Sequence, residues 1–216
     1  MDNDQLTNKE KIELAIQAGL NAIPTIGGSL STMYFGTKQE KRFKRIENFY
    51  NDLKNDFDKY KDELKSLEDQ NRDELTGIIE EINENVETDY TEKKLTYFKN
   101  CFYNSLTDIS KDSYRKRKYF VSTLGQLTEL DIQVVIDLYK ANDGHGYMPN
   151  TNNEEGNNPE FIGTLEKLKS YGLIYSKLNG TLRPGVNWSE ITLYIISSFG
   201  QEFVRYCLEN TKNKLK

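Results

Sequence analysis

Histidine occurs once in this 216-residue chain (His145), tryptophan once (Trp188), cysteine twice (Cys101 and Cys207) and proline four times. A single histidine removes most of the acid–base and zinc chemistry that proteins draw from that side chain. Two cysteines outside any CxxC pair exclude a disulfide framework and point to a reducing compartment, so the cytoplasm is expected. Few prolines and 14 glycines exclude a fibrous or low-complexity chain, and 36% hydrophobic residues suffice for a modest core in one or two domains. The sequence also lacks a P-loop, a GxGxxG turn, a GxSxG elbow and an HExxH helix. Met1 to Lys11 is polar and mixed in charge, which predicts no secretion signal. His145, set between Gly144 and Gly146, reads as a solvated loop residue, and carboxylate pairs such as Glu80 and Glu84 read as products of an acidic helix. No catalytic residue, metal ligand, cofactor or small-molecule substrate is therefore expected.

Charge and apolar periodicity organise the N-terminal half. The formal charge of −5 is uneven: residues 1–113 carry 16 basic and 23 acidic side chains, residues 114–216 carry 13 and 11. A polyanionic partner would favour the C-terminal half. From Leu14 to Thr37 run 24 residues without a charge in a chain that is 29% charged. Gln17, Asn21 and the Pro24 to Gly28 passage make this stretch too polar and too broken for a spanning helix. It reads as a short helical hairpin that packs on its own domain. The alternatives are an oligomer interface or a membrane-active segment, with Ile23, Ile26, Leu30, Met33, Tyr34 and Phe35 as its apolar contacts and Lys38 to Arg45 as its cationic flank. Next, Phe43, Ile46, Tyr50, Leu53, Phe57, Tyr60, Leu64 and Leu67 alternate at spacings of three and four, the seam of a heptad helix over 38–69. Its partner is either a second copy or the helices that follow. Asn71 with Glu74, and Asp89 with Glu92, read as starts of two further helices, the second holding Cys101 as a buried apolar side chain. Residues 1–112 are thus expected to form a helical bundle or coiled-coil hairpin.

The C-terminal half, 113–216, changes character. Ser113 to Leu124 reads as a helix with Phe120, Val121 and Leu124 inward. Thr128 caps a second, with Asp131 beside its first amides. Residues 142–158 form a polar Asn/Gly-rich insertion, read as flexible. Asn158 then caps a helix opened by Pro159 and stopped at Gly172. Leu173 to Leu178 is a predicted strand, Asn179-Gly180 a hairpin turn, Thr181 to Arg183 its return, and Ile191 to Ile196 a second apolar strand. Ser198 with Gln201 opens a last helix, and Trp188 is expected to lie over the hairpin. The fold class is accordingly mainly α, with a helical N-terminal domain and an α+β C-terminal domain.

The order helix, helix, helix, strand, hairpin, strand, helix resembles a winged-helix domain. Leu165 to Ile174, a short leucine helix leading into Gly172-Leu173-Ile174, resembles the passage into the wing of bacterial winged-helix regulators; Ile191-Thr192-Leu193 through Phe203 resembles the strand and closing helix that follow it. With Ile23-Pro24-Thr25-Ile26-Gly27-Gly28, the chain resembles a loose set of uncharacterised bacterial and prophage proteins, some of them linked to phage defence. A composition of 22 Lys against 7 Arg, with 21 Asn and 4 Ala, accords with an AT-rich genome of that kind. The resemblance implies nucleic-acid contacts, for which the cationic candidates are Arg115, Lys116, Arg117 and Lys118 with Lys177 and Arg183 on the wing. The long insertion and the absence of Arg, Asn or Gln after Asn158 in the candidate recognition helix depart from a base-reading helix-turn-helix. Three functions follow. The first is a non-enzymatic binding protein whose winged-helix-like half engages a protein or nucleic acid while the helical half assembles or docks. The second is a membrane-associated phage-defence effector inserting 14–37. The third is a DNA-binding transcriptional regulator. A protein partner or self-association is expected, with nucleic acid and membrane as the other candidates.

Overall fold

Helices dominate because apolar residues recur at three- and four-residue spacings through most of the chain. The computed structural model describes residues 36–56, 72–88, 91–107, 114–141, 158–178 and 192–209. They divide into two units, Met1–Gly125 with Glu209–Lys216, and Gln126–Leu208.

The first unit contains α1 (Gly36–Asp56), α2 (Arg72–Thr88), α3 (Glu92–Thr107) and α4 (Tyr114–Gln126). Among them α1 packs on α2 and α3, and α2 on α3. Of the apolar stripe of α1, the described side chains Ile46, Phe49, Tyr50 and Leu53 are all buried. Opposite them lie Ile78, Ile79, Ile82 and Val86 of α2 and Phe98, Phe102 and Leu106 of α3. Two phenols tie the aromatic core to specific acceptors. Tyr50 Oη donates to Asn83 Oδ1 at 2.8 Å, and Tyr103 Oη to the Leu53 carbonyl at 2.5 Å. Edge-to-face rings, Tyr50 on Phe102 and Phe102 on Tyr103, fill the space between. At the rim, Lys99 on α3 pairs with Asp56 on α1 at 3.1 Å. Cys101 is buried, as its position among apolar residues predicts.

The second unit contains α5 (Glu129–Lys140), α6 (Pro159–Ser170), β1 (Ile174–Leu178), β2 (Thr192–Ile196), α7 (Ser198–Phe203) and a π-helical turn over Val204–Leu208. Strands β1 and β2 are antiparallel, with Ile174 opposite Ile196 and Leu178 opposite Thr192. Helix α5 packs on α6, β2, α7 and the π turn, and α6 packs on β1. Local chemistry sets each boundary. Thr128 and Asp131 form a reciprocal capping box at the start of α5, and Asn158 caps α6 ahead of Pro159. Gly172 ends α6 at φ +73, a conformation open to glycine at no steric cost. Its N–H reaches Lys169 O while Leu173 N reaches Leu168 O, the paired bonds of a Schellman stop. Ser197 caps α7, one residue earlier than the sequence suggests, and its Oγ accepts Gly200 N at 2.8 Å. That hydroxyl also lies 2.6 Å from the Gly172 carbonyl and 3.0 Å from the Leu173 carbonyl, to which it donates.

One expected boundary moves. The domain boundary falls after Gly125 rather than after residue 112, because α4 belongs with the helical unit. Lys94 donates to the Gly125 carbonyl and Arg117 to the Ser105 carbonyl, so both ends of α4 are fastened to α3. The described part of the heptad seam, Ile46, Tyr50 and Leu53, is buried, and α2 and α3 are the helices packed on α1, which is the second of the two pairings the sequence leaves open. The side chain of Phe43, and all of Phe57, Tyr60, Leu64 and Leu67, lie outside the described residues. So do Ile23, Ile26, Leu30, Met33, Tyr34 and Phe35, together with His145, residues 142–157 of the insertion, Asn179-Gly180, Arg183 and Trp188. Among the described residues no helix is long and apolar enough to cross a membrane.

Candidate functional site

Residues 115–118 form an unbroken cationic run in sequence, yet the helix distributes them. At about 100° per residue, Arg117 falls on the side of Phe120, Val121 and Leu124, and it is buried with them. Its Nη1 donates to the Ser105 carbonyl at 3.3 Å. Arg117 therefore leaves the cationic set, a correction that its spacing of three, four and seven from those apolar residues already contains. Arg115 and Lys118 point outward and Lys116 is half-buried. On the same outward side stand Tyr119, 42% exposed, and half-buried Ser122. The run of charge drew attention away from Tyr119, although its spacing of four from Arg115 places it on that face. The whole of α4 carries four cations and no carboxylate. Among the described residues no acidic side chain pairs with Arg115 or Lys118.

In the second unit the cations of α6 face a different fate. Lys167 Nζ lies 2.6 Å from Asp131 Oδ2 and donates to the Gln126 carbonyl at 2.8 Å. Asp131 is buried, and its Oδ2 also accepts the Thr128 amide at 2.7 Å. Burial pushes this carboxyl up, but the hydrogen bonds from Lys167 and Thr128 and the lysine charge outweigh it and hold the group below the usual aspartate value. Lys169 pairs with Glu166 at 3.1 Å. Burial, and then the Glu166 carboxylate, push the phenol of Tyr194 on β2 above its ordinary value. Both lysines of α6 are thus engaged with carboxylates of their own unit.

Among the described residues of this unit the exposed large apolar side chains are Ile162 on α6 (42%) and Tyr175 and Leu178 on opposite faces of β1 (47% and 45%). Lys177 stands exposed on the Tyr175 face. Beside the start of α6, a cleft of about 530 Å³ is lined by Leu130, Val134 and Leu138 of α5 and Phe161 of α6, with Gln133 and Asp137 at its polar side. Among the described residues no three His, Cys, Asp or Glu side chains gather as a metal site would require. Comparison with known proteins finds no family model, no curated protein and no solved structure that matches this chain.

Proposed function

We propose that the protein is a non-enzymatic binding protein in which the helical unit is scaffold and the C-terminal unit, a winged-helix-like module, engages a protein partner through β1 and the adjoining face of α6. The order α5, α6, β1, β2, α7 and the antiparallel register of the strands support the winged-helix-like description, with α4, the first helix of that order, grouped in the helical unit. One observation carries the choice of a protein over a DNA site. Base reading needs free donors on the helix that enters the groove; α6 has no Arg, Asn or Gln beyond its cap, and Lys167 is held by the buried Asp131 carboxylate. What this surface presents instead is apolar: Leu178 on the α6 side of β1, and Ile162 of α6. Aliphatic anchors of that kind add binding energy at protein interfaces.

Photo-crosslinking tests this in the source cell. A crosslinking residue at Leu178 or Ile162 is expected to trap the same protein, whereas one at Lys140 is not. The trapped protein, purified, should then bind the intact chain and lose affinity at least about tenfold with Leu178→Asp, the loss expected for truncating an interface anchor. Absence of a common adduct, or binding indifferent to Leu178→Asp, overturns the reading.

A further inference from the structure

We propose that the outward face of α4, formed by Arg115, Lys118, Tyr119 and Ser122, binds single-stranded nucleic acid, gripping the phosphodiester backbone and stacking one unpaired base. This goes beyond the docking role of the C-terminal unit, because the surface belongs to the helical unit and the ligand is of another class.

The make-up of this helix motivates it. Arg115 and Lys118 stand exposed with no carboxylate of the described residues paired to either, on a helix that carries no acidic residue at all. Paired phosphate contacts are the use for which guanidinium and ammonium groups are suited. Helical geometry then places Tyr119 four residues from Arg115 and next to Lys118, exposing its ring on the cationic face. An aromatic ring flanked by cations is the recurring platform for unstacked bases. In a duplex the base faces are already covered, so the combination favours single strands. Ser122 adds only a hydroxyl, which makes the contact tolerant of sequence. The chain's overall charge of −5 opposes a polyanion at long range, so binding depends on this local face.

The intact protein is titrated by fluorescence anisotropy with labelled dT20, rU20 and a 20-base-pair duplex at 50 and 200 mM salt. Two to three phosphate contacts predict about a tenfold weakening across that salt range for a single strand. Arg115→Gln with Lys118→Gln should flatten that dependence and weaken dT20 binding at least tenfold, and Tyr119→Ala at least fivefold, with Tyr119→Phe close to wild type. Lys140→Gln, which removes an exposed cation of the other unit, should change nothing. Preference between dT20 and rU20 distinguishes DNA from RNA as the source of the strand. No binding of either oligonucleotide at 50 mM salt overturns the proposal, as does binding unchanged in the double variant. Tighter duplex binding that ignores Tyr119→Ala overturns the assignment to single strands. The C-terminal docking surface contains none of these residues, so either reading fails without touching the other.

Discussion

Gly200→Ala should be among the most damaging single-methyl changes in the second unit. A Cβ on Gly200 would stand 2.0 Å from the Leu173 carbonyl oxygen, 2.9 Å from its carbon and 3.0 Å from Ile196 Cγ1. The obstacle is backbone, so no rotamer change relieves it. Helix α7 would have to move by an ångström or more, away from the carbonyl that accepts both Ser197 N and Ser197 Oγ. Overpacking of this kind costs about 1–3 kcal/mol, and weakening two hydrogen bonds adds about 1 kcal/mol. The intrinsic preference of a helix for alanine returns about 0.5–1 kcal/mol. The net expectation is a loss of about 2–3 kcal/mol, which for a unit of this size lowers its melting temperature by about 10 °C or more. Gly163→Ala is the matched control: it sits in α6 with nothing within 4 Å of the added methyl, and should stabilise by about 0.5–1 kcal/mol. Thermal unfolding followed by circular dichroism reads both. A Gly200→Ala protein within 0.5 kcal/mol of wild type would refute the close approach of α7 to Leu173.

Two titration predictions follow from buried groups. Asp131 has its carboxyl held below the usual value, so its contribution to stability is complete above the unfolded aspartate pKa of about 4 and is lost as pH falls through the lower folded value. Asp131→Asn should therefore destabilise at neutral pH by about 1–3 kcal/mol, and urea midpoints across pH 2–6 should show a smaller acid-induced loss than wild type; an identical slope would sink the assignment. Tyr50 is displaced the other way: burial, partly offset by its bond to Asn83, pushes its phenol up to about 12. The folded state keeps a proton that the unfolded chain releases near pH 10, so stability should fall as pH rises from about 10 to 12. Tyr50→Phe should remove that alkaline loss, and an unaltered profile in the variant would count against it.

Much of the second unit was legible because its signals are local. Thr128 with Asp131, Asn158 before Pro159, and Gly172 each satisfy backbone groups within a few residues, and the strands at 174–178 and 192–196 lie within one residue of the apolar runs that announce them. The allegiance of α4 was not legible, since it depends on Ser105 and Lys94, residues distant in sequence. Phe49 escaped the heptad reading because α1 faces two helices, which widens its apolar stripe beyond the two positions per heptad of a single-partner seam. The cationic run illustrates a different limit. Composition counts Arg117 as surface charge, whereas the three-four spacing to Phe120, Val121 and Leu124 puts it inside. The Lys167–Asp131 pair joins residues on different helices and had no signature in either.

The junction at Leu173 has a consequence for how this unit can diversify. The C-cap of α6, the start of β1, the end of β2 and the cap of α7 all meet at one end of the hairpin, while Leu178 and Thr192 lie at the other. Register is anchored at the first end by groups within residues 168–200. The ends of a helix and a strand and the starts of two others thus share one set of carbonyls and one hydroxyl, so in this unit those four boundaries can shift over evolution only together.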